Sequence, residues 1–220
     1  MILYDPQTRD EWLKCRCRGI GGSDAGAVLG VNKYKTNVDL WAEKTHKKPH
    51  PEIKNNSAVE YGKNAEKLIR ELYKLDYPEN TVEYHEYRMY ANDKHNFIYA
   101  TLDGEIVRPD GTKGILEIKT CTIQNPGQWK EWENRIPDSY YAQILHQLSA
   151  TGWDFAILRA YIRYFKGGEL KTIIRDYEIS REAVTDDIAA LTAKEVEFWK
   201  HVENKAEPAL IFLNLNSATL

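Results

Sequence analysis

The sequence predicts an α/β (α+β) fold, a central mixed β-sheet flanked by helices. Two changes in periodicity carry that expectation. Helical spacing dominates to about residue 76, strand-like alternation from about 80 to 178, and a closing helix follows from about 180 to 205. The whole of 1–220 is read as one domain, a length that suits a single core with a helical elaboration. Hydrophobic residues at 42% and charged residues at 29% are ordinary globular proportions, with no internal repeat or low-complexity linker.

Thr8 or Asp10 caps a first helix through Trp12 to about Cys15, and Gly19-Ile20-Gly21-Gly22-Ser23 breaks it. Ser23 is expected as N-cap of a short helix from Asp24 to Leu29, ended by Gly30, and Thr36 as cap of one carrying Leu40 and Trp41. Ser57-Ala58-Val59-Glu60 has the capping-box pattern and opens a long helix to about Leu75, with Ala65, Leu68, Ile69 and Leu72 at helical spacing. Val82 to Tyr90, Phe97 to Ala100 and Glu105 to Arg108 read as strands, the last followed by the turn Pro109-Asp110-Gly111. Gly114 to Thr120 completes a hairpin, with Ile115, Glu117 and Lys119 on one face and Leu116 and Ile118 on the other. Pro137-Asp138 starts a helix through Ile144 and Leu148, stopped by Gly152. Strands near Phe155 to Tyr164 and Leu170 to Glu178 are joined by Lys166-Gly167-Gly168, and the last helix runs from Ser180 to about Val202.

No apolar run approaches the roughly 20 residues of a membrane span, and the N-terminus shows no signal-peptide pattern. Three cysteines, with Cys15 and Cys17 close together, suit a reduced, cytoplasmic setting rather than a disulfide frame or a zinc site. The net charge of −3 gives no hint of a polyanionic partner. Its distribution gives more. Residues 14–54 hold nine Lys and Arg against four Asp and Glu, whereas residues 176–207 hold four against nine. A basic N-terminal region permits a local phosphate-binding surface.

The chemistry gathers at Asp103 and, fourteen positions on, Glu117-Ile118-Lys119. Adjacent strands of a hairpin bring the two carboxylates together, and Lys119 shares the face of Glu117. Phosphodiester hydrolysis needs hard divalent cations held by oxygen donors and a cation to orient the attacking water. Asp103, Glu117 and the Ile118 backbone carbonyl supply donors, Lys119 the cation, and Glu66 on the long helix a third carboxylate. Taken alone, a surface hairpin with alternating charges accounts for the pattern. The apolar stretch Ile115 to Ile118 favours the functional reading, because an unpaired Glu and Lys on a central strand are costly. His146, one turn beyond Gln143, is expected at the surface or half-buried, and Trp12, Trp41 and Trp199 in the core.

Five ordered blocks complete the reading. They are Gly19-Ile20-Gly21-Gly22-Ser23-Asp24-Ala25 with Tyr34-Lys35-Thr36 and Leu40-Trp41-Ala42-Glu43-Lys44; Tyr61-Gly62 with Glu66; Tyr99-Ala100-Thr101-Leu102-Asp103-Gly104; Leu116-Glu117-Ile118-Lys119-Thr120; and Tyr140-Tyr141-Ala142-Gln143-Ile144 with Gln147-Leu148. Over about residues 9 to 165 the chain resembles the YqaJ-type viral recombinase (lambda exonuclease) family of the PD-(D/E)XK nucleases. The resemblance implies a restriction-endonuclease-like core and a metal-dependent exonuclease. That enzyme degrades the 5′-ended strand of linear duplex DNA and leaves a 3′ tail for recombination by strand annealing. It further implies two Mg²⁺ ions, with Mn²⁺ as substitute, held by Asp103, Glu117, the Ile118 carbonyl and Glu66, with Lys119 catalytic. A pocket for the terminal 5′-phosphate falls to Arg16, Ser23, Thr101 and Gln143, with Tyr140 beside it. Double-stranded DNA ends, a single-strand annealing protein and a homotrimer are the implied partners, in the bacterial cytoplasm of a phage or prophage host. An endonuclease, or a catalytically weak DNA-end-binding scaffold on the same fold, is the alternative. The chain departs from the pattern in three places. Thr101-Leu102-Asp103 stands where many relatives have Ser-Pro-Asp, Arg18 competes with Arg16, and the loop Pro109 to Lys113 is longer.

Overall fold

The computed structural model describes residues 1–48 and 57–211, the side chains of the second stretch from Val59 onward. The side-chain cap expected at Ser57 lies outside the described residues. In chain order the elements are β1 (Ile2–Tyr4), α1 (Arg9–Arg16), a 3₁₀ turn (Gly22–Asp24), α2 (Ala25–Val28), α3 (Asn37–Lys44), α4 (Ser57–Asp76), β2 (Thr81–Glu83), β3 (Met89–Ala91), β4 (Tyr99–Ala100) and β5 (Gly104–Val107). They continue with β6 (Lys113–Ile123), α5 (Pro126–Lys130), α6 (Asp138–Thr151), β7 (Phe155–Lys166), β8 (Glu169–Ser180), a second 3₁₀ turn (Glu182–Val184) and α7 (Thr185–Glu203).

The main sheet is mixed, in the order β2-β5-β6-β7-β8. Only β6 and β7 run parallel, and the crossover between them carries α5 and α6. The other pairs are antiparallel, and β1, β3 and β4 form a separate three-stranded sheet. Alternation along β6 divides the core. Ile115 and Ile123 join Ile144, Leu148, Leu158 and Ile162 on the α6 side, with Ile188 and Leu191 of α7 beside them. Leu116 and Ile118 pack against Ile69 and Tyr73 of α4 on the other. Each such burial stabilises by about 1.5–3 kcal/mol, which makes a one-residue register slip in β6 prohibitive. Gly114 lets the layers close, since a Cβ there would lie 2.2 Å from the Phe155 ring. The β7–β8 hairpin turns on Gly167 and Gly168, at φ 63° and 81°, as a two-residue loop of its kind requires. β8 is an edge strand and exposes Leu170 and Ile173.

Thr8, not Asp10, caps α1 by accepting from the Glu11 N–H, and Thr36 caps α3 through a reciprocal box with Asp39. The expected strand Val82 to Tyr90 is two strands in two sheets. A turn closed by the Arg88 N–H on the His85 carbonyl separates them, so β2 pairs with β5 while β3 pairs with β1 and β4. Ser23 is not a helix N-cap. It sits inside the first 3₁₀ turn, where the Asp24 carboxylate takes the Gly21 N–H at 3.2 Å. Trp41 is fully buried, but Trp12 and Trp199 are half-buried, Trp199 stacking on Phe97 at 5.2 Å.

Candidate active site

The register that pairs Gly104 with Leu116 sets Asp103 level with Glu117. Asp103 is fixed there by the Ile118 N–H, which donates to its Oδ2 at 2.8 Å. Glu117 is buried at 2% exposure, a position tolerable for a carboxylate only if its oxygens are bonded. They are. Lys119 Nζ and Gln143 Nε2 (2.6 Å) donate to Oε1, and Gln147 Nε2 donates to Oε2 at 2.5 Å. Lys119 Nζ also donates to Gln143 Oε1 at 3.0 Å and lies 5.1 Å from the Tyr140 ring centroid. α6 thus faces β6 with two amides one helical turn apart, both on one carboxylate. From α4, Arg70 reaches the Asp103 backbone carbonyl and holds Glu66 at 3.4 Å.

The electrostatics follow from this crowding. Burial, then the neighbouring Glu117 and Glu66, hold the Asp103 carboxyl well above the usual carboxylate range. Burial raises Glu66 too, and Glu117 adds to it, against the opposing Arg70. Burial works against the Lys119 ammonium, but Glu117 and Asp103 outweigh it and keep the lysine charged. Three carboxylates therefore compete for two cationic side chains. The oxygen donors suit a hard divalent cation in type and number of charges. No three His, Cys, Asp or Glu side chains among the described residues are already closed into a metal cage. The reason is visible in Glu117, whose oxygens are turned to Lys119, Gln143 and Gln147.

The residues expected around a 5′-phosphate are partly assembled. Gln143 lies against the glycine turn, where a Cβ on Gly22 would stand 3.2 Å from Gln143 Cγ, so the bare glycine lets the turn close on the Gln143 and Gln147 side chains of α6. Ser23 is exposed on that turn and Thr101 is half-buried just before Asp103. Arg16 stacks its guanidinium over Trp12 at 4.6 Å with no ion pair among the described residues, while Arg18 is exposed. The Arg16 carbonyl accepts from Tyr99 Oη at 2.6 Å and Lys44 Nζ at 3.2 Å. Lys44 in turn pairs with buried Asp24 at 2.9 Å. Burial opposes that carboxylate, yet Lys44 and Lys35 keep it below its ordinary value.

His146 overturns the surface expectation. It is fully buried, Nδ1 2.5 Å from Glu195 and Nε2 2.8 Å from the Tyr99 carbonyl. It therefore faces away from the carboxylate cluster and ties α6 to α7 and β4. Two groups in the cluster escaped sequence reasoning as site residues, Arg70 and Gln147. Both had a signal: Arg70 stands four residues after Glu66 and Gln147 four after Gln143, so each shares a helix face with a singled-out residue.

With the geometry in view, comparison defines the fold class and then the family. The structure is similar to an alkaline exonuclease from Laribacter hongkongensis (TM-score 0.64, 20% identity, covering 89% of this chain and 95% of that one). It is also similar to a phage-related exonuclease from Haemophilus somnus 129PT (TM-score 0.52, 15% identity, covering 85% and 96%). The chain belongs to the YqaJ-like viral recombinase domain family, whose model matches residues 11–154. It is 34% identical over 195 residues to the uncharacterised protein YqaJ of Bacillus subtilis (strain 168), 87% of this chain and 56% of that protein's length. No helix among the described residues is long and apolar enough to cross a membrane.

Proposed function

We propose that this chain is a metal-dependent 5′→3′ exonuclease that degrades one strand of linear duplex DNA and leaves a 3′ single-stranded tail for recombination by strand annealing. The observation that carries the reading is the convergence of Asp103, Glu117 and Glu66 with Lys119 on one half-buried spot of the sheet. Membership of a viral recombinase family and the likeness in fold to exonucleases support it.

In this reading Asp103, Glu117, Glu66 and the Ile118 carbonyl hold two Mg²⁺ ions, with Mn²⁺ as substitute. A bound divalent cation neutralises phosphate charge and lowers the pKa of the attacking water. Lys119, kept charged by its carboxylate neighbours, orients that water and offsets charge developing on the phosphate oxygens. Gln143 and Gln147 fix Glu117, and Arg70 fixes Asp103 through its backbone and Glu66 through its side chain. Arg16, Ser23, Thr101 and Gln143, beside Tyr140, receive the terminal 5′-phosphate, Arg16 leaving its stack on Trp12 to do so. Action at DNA ends, a homotrimeric ring, an annealing protein as partner and the cytoplasm of a phage or prophage host complete the proposal.

The test is a time course on end-labelled linear duplex with Mg²⁺, with and without a 5′-phosphate, beside closed circular DNA. Processive loss from 5′-phosphorylated ends, abolished by EDTA and by Lys119→Ala, is expected. Full activity in Lys119→Ala or in EDTA sinks the proposal. Circles cut as fast as linear DNA assign the fold to an endonuclease instead, and tight end binding without release of nucleotides to a catalytically weak scaffold.

A further inference from the structure

The buried and half-buried arginines of the sheet and its helices are nearly all committed. Arg70 donates to the Asp103 carbonyl and Glu66, Arg108 to Glu178, Arg159 to Asp76, Arg175 to the Trp132 carbonyl and Arg181 to the Leu148 carbonyl. Arg163 differs. Among the described residues no carboxylate or backbone carbonyl accepts from it, its Nε is buried without a hydrogen-bond partner as those of Arg88 and Arg159 also are, and its guanidinium lies 3.9 Å from the centroid of the Tyr61 ring. The Tyr61 phenol is itself tied to Tyr161 and Arg163. Stacking fixes the plane of a guanidinium while leaving N–H groups at its edge for an anion.

We infer that Arg163, held on Tyr61, is a contact for a DNA backbone phosphate beside the carboxylate cluster; this deepens the nuclease reading and rests on it. Arg163 stands opposite Thr122 in the parallel register, and Lys119 opposite Ala160. Three residues of strand separate the two levels, about 10 Å along the strand, and the odd offset sets Arg163 on the α4 face, where Tyr61 and Glu66 stand, with Lys119 on the α6 face. The same helix serves both places. α4 carries Tyr61 and Glu66, and Gly62 brings it close enough to β6 that a Cβ there would lie 3.3 Å from Thr120 Oγ1. A cluster of three carboxylates repels the strand it must cut, and a fixed cation this near offsets that repulsion. Phosphodiester is favoured over a protein carboxylate as the ligand because Arg163 shares the α4 face with Glu66, the third carboxylate of the cluster that the nuclease reading sets against the substrate strand.

The experiment measures binding of a 5′-phosphorylated duplex oligonucleotide in EDTA, by fluorescence anisotropy, over a series of salt concentrations. Arg163→Gln is expected to weaken binding roughly tenfold and to lower the slope of log K against log salt by about 1. Arg163→Lys keeps the slope, because the charge remains. Tyr61→Leu, which keeps the charge but removes its support, weakens binding with the slope intact, and this keeps the test decisive if Arg163→Gln does not fold. Wild-type protein that binds duplex, with slope and affinity unchanged in a folded Arg163→Gln or affinity unchanged in Tyr61→Leu, overturns the inference alone. Wild-type protein that does not bind duplex overturns the nuclease reading with it.

Discussion

Glu117 is bound by one charged donor and two neutral ones, and that division sets the character of the site. Lys119 cancels charge; Gln143 and Gln147 hold the carboxylate in place without cancelling any. Gln147→Leu should therefore leave a buried carboxylate oxygen unpaired and destabilise the protein by about 1–3 kcal/mol, read as a lower Tm. Its nuclease rate should fall more than its affinity for DNA. Asp103 gives a prediction of opposite sign. Because burial, Glu117 and Glu66 disfavour its charge, Asp103→Asn should raise the Tm of the metal-free protein at neutral pH. Mg²⁺ should raise the Tm of wild type, by linkage, and not that of the variant. A metal-induced shift that survives Asp103→Asn would remove this aspartate from the metal site. At this scale the sequence was legible in which side chains meet, as in Asp103, Glu117 and Lys119, which hairpin pairing and strand alternation bring together. Gln147 was less so, because its importance depends on which face of its helix meets the sheet.

At the scale of elements, α6 is a two-sided part. One face sends Gln143 and Gln147 to Glu117, and the other sends His146 to Glu195 of α7 and the Tyr99 carbonyl. Burial lowers the pKa of His146, but Glu195 more than compensates, so it is raised above the ordinary value of 6.5. The sign follows: a raised histidine stabilises the fold fully below its unfolded pKa and loses that contribution as pH rises through the folded one. Wild-type Tm should fall with rising pH above about 6.5, and His146→Gln should flatten that dependence. A wild-type profile no steeper than the variant's would exclude the charged pair. The helix itself was legible from Pro137 and Gly152, the latter left-handed at φ 71° as a C-terminal glycine should be. The burial of His146 was not, since its partner Glu195 lies 49 residues away. Nor was the break in Val82 to Tyr90, where β-forming residues run on and only pairing partners decide which sheet takes each half.

For the whole molecule, a mixed sheet flanked by helices was foreseen from the succession of helical and alternating segments, while the short second sheet was not. Its strands span only two or three residues, too few for periodicity to register. The uneven charge, basic in residues 14–54 and acidic in 176–207, is partly met within the chain, where α3 packs on α7 and Trp41 Nε1 donates to the His201 carbonyl, so the proposed trimer rests on the family resemblance. Equilibrium sedimentation should return three times the 25.5 kDa chain mass at moderate salt. A single-chain mass at working concentration would remove the proposed ring.

The outer strand β8 has a practical consequence for anyone handling the protein. Twelve residues long, with an outer rim that no strand among the described residues pairs, it offers a template for another copy to extend edge to edge. Lys171 acts as a gatekeeper along it, but Arg175 is drawn to the Trp132 carbonyl and Ile173 lies open between them. Aggregation on concentrating or warming should begin there, and Ile173→Lys should raise the solubility limit while leaving the carboxylate cluster untouched.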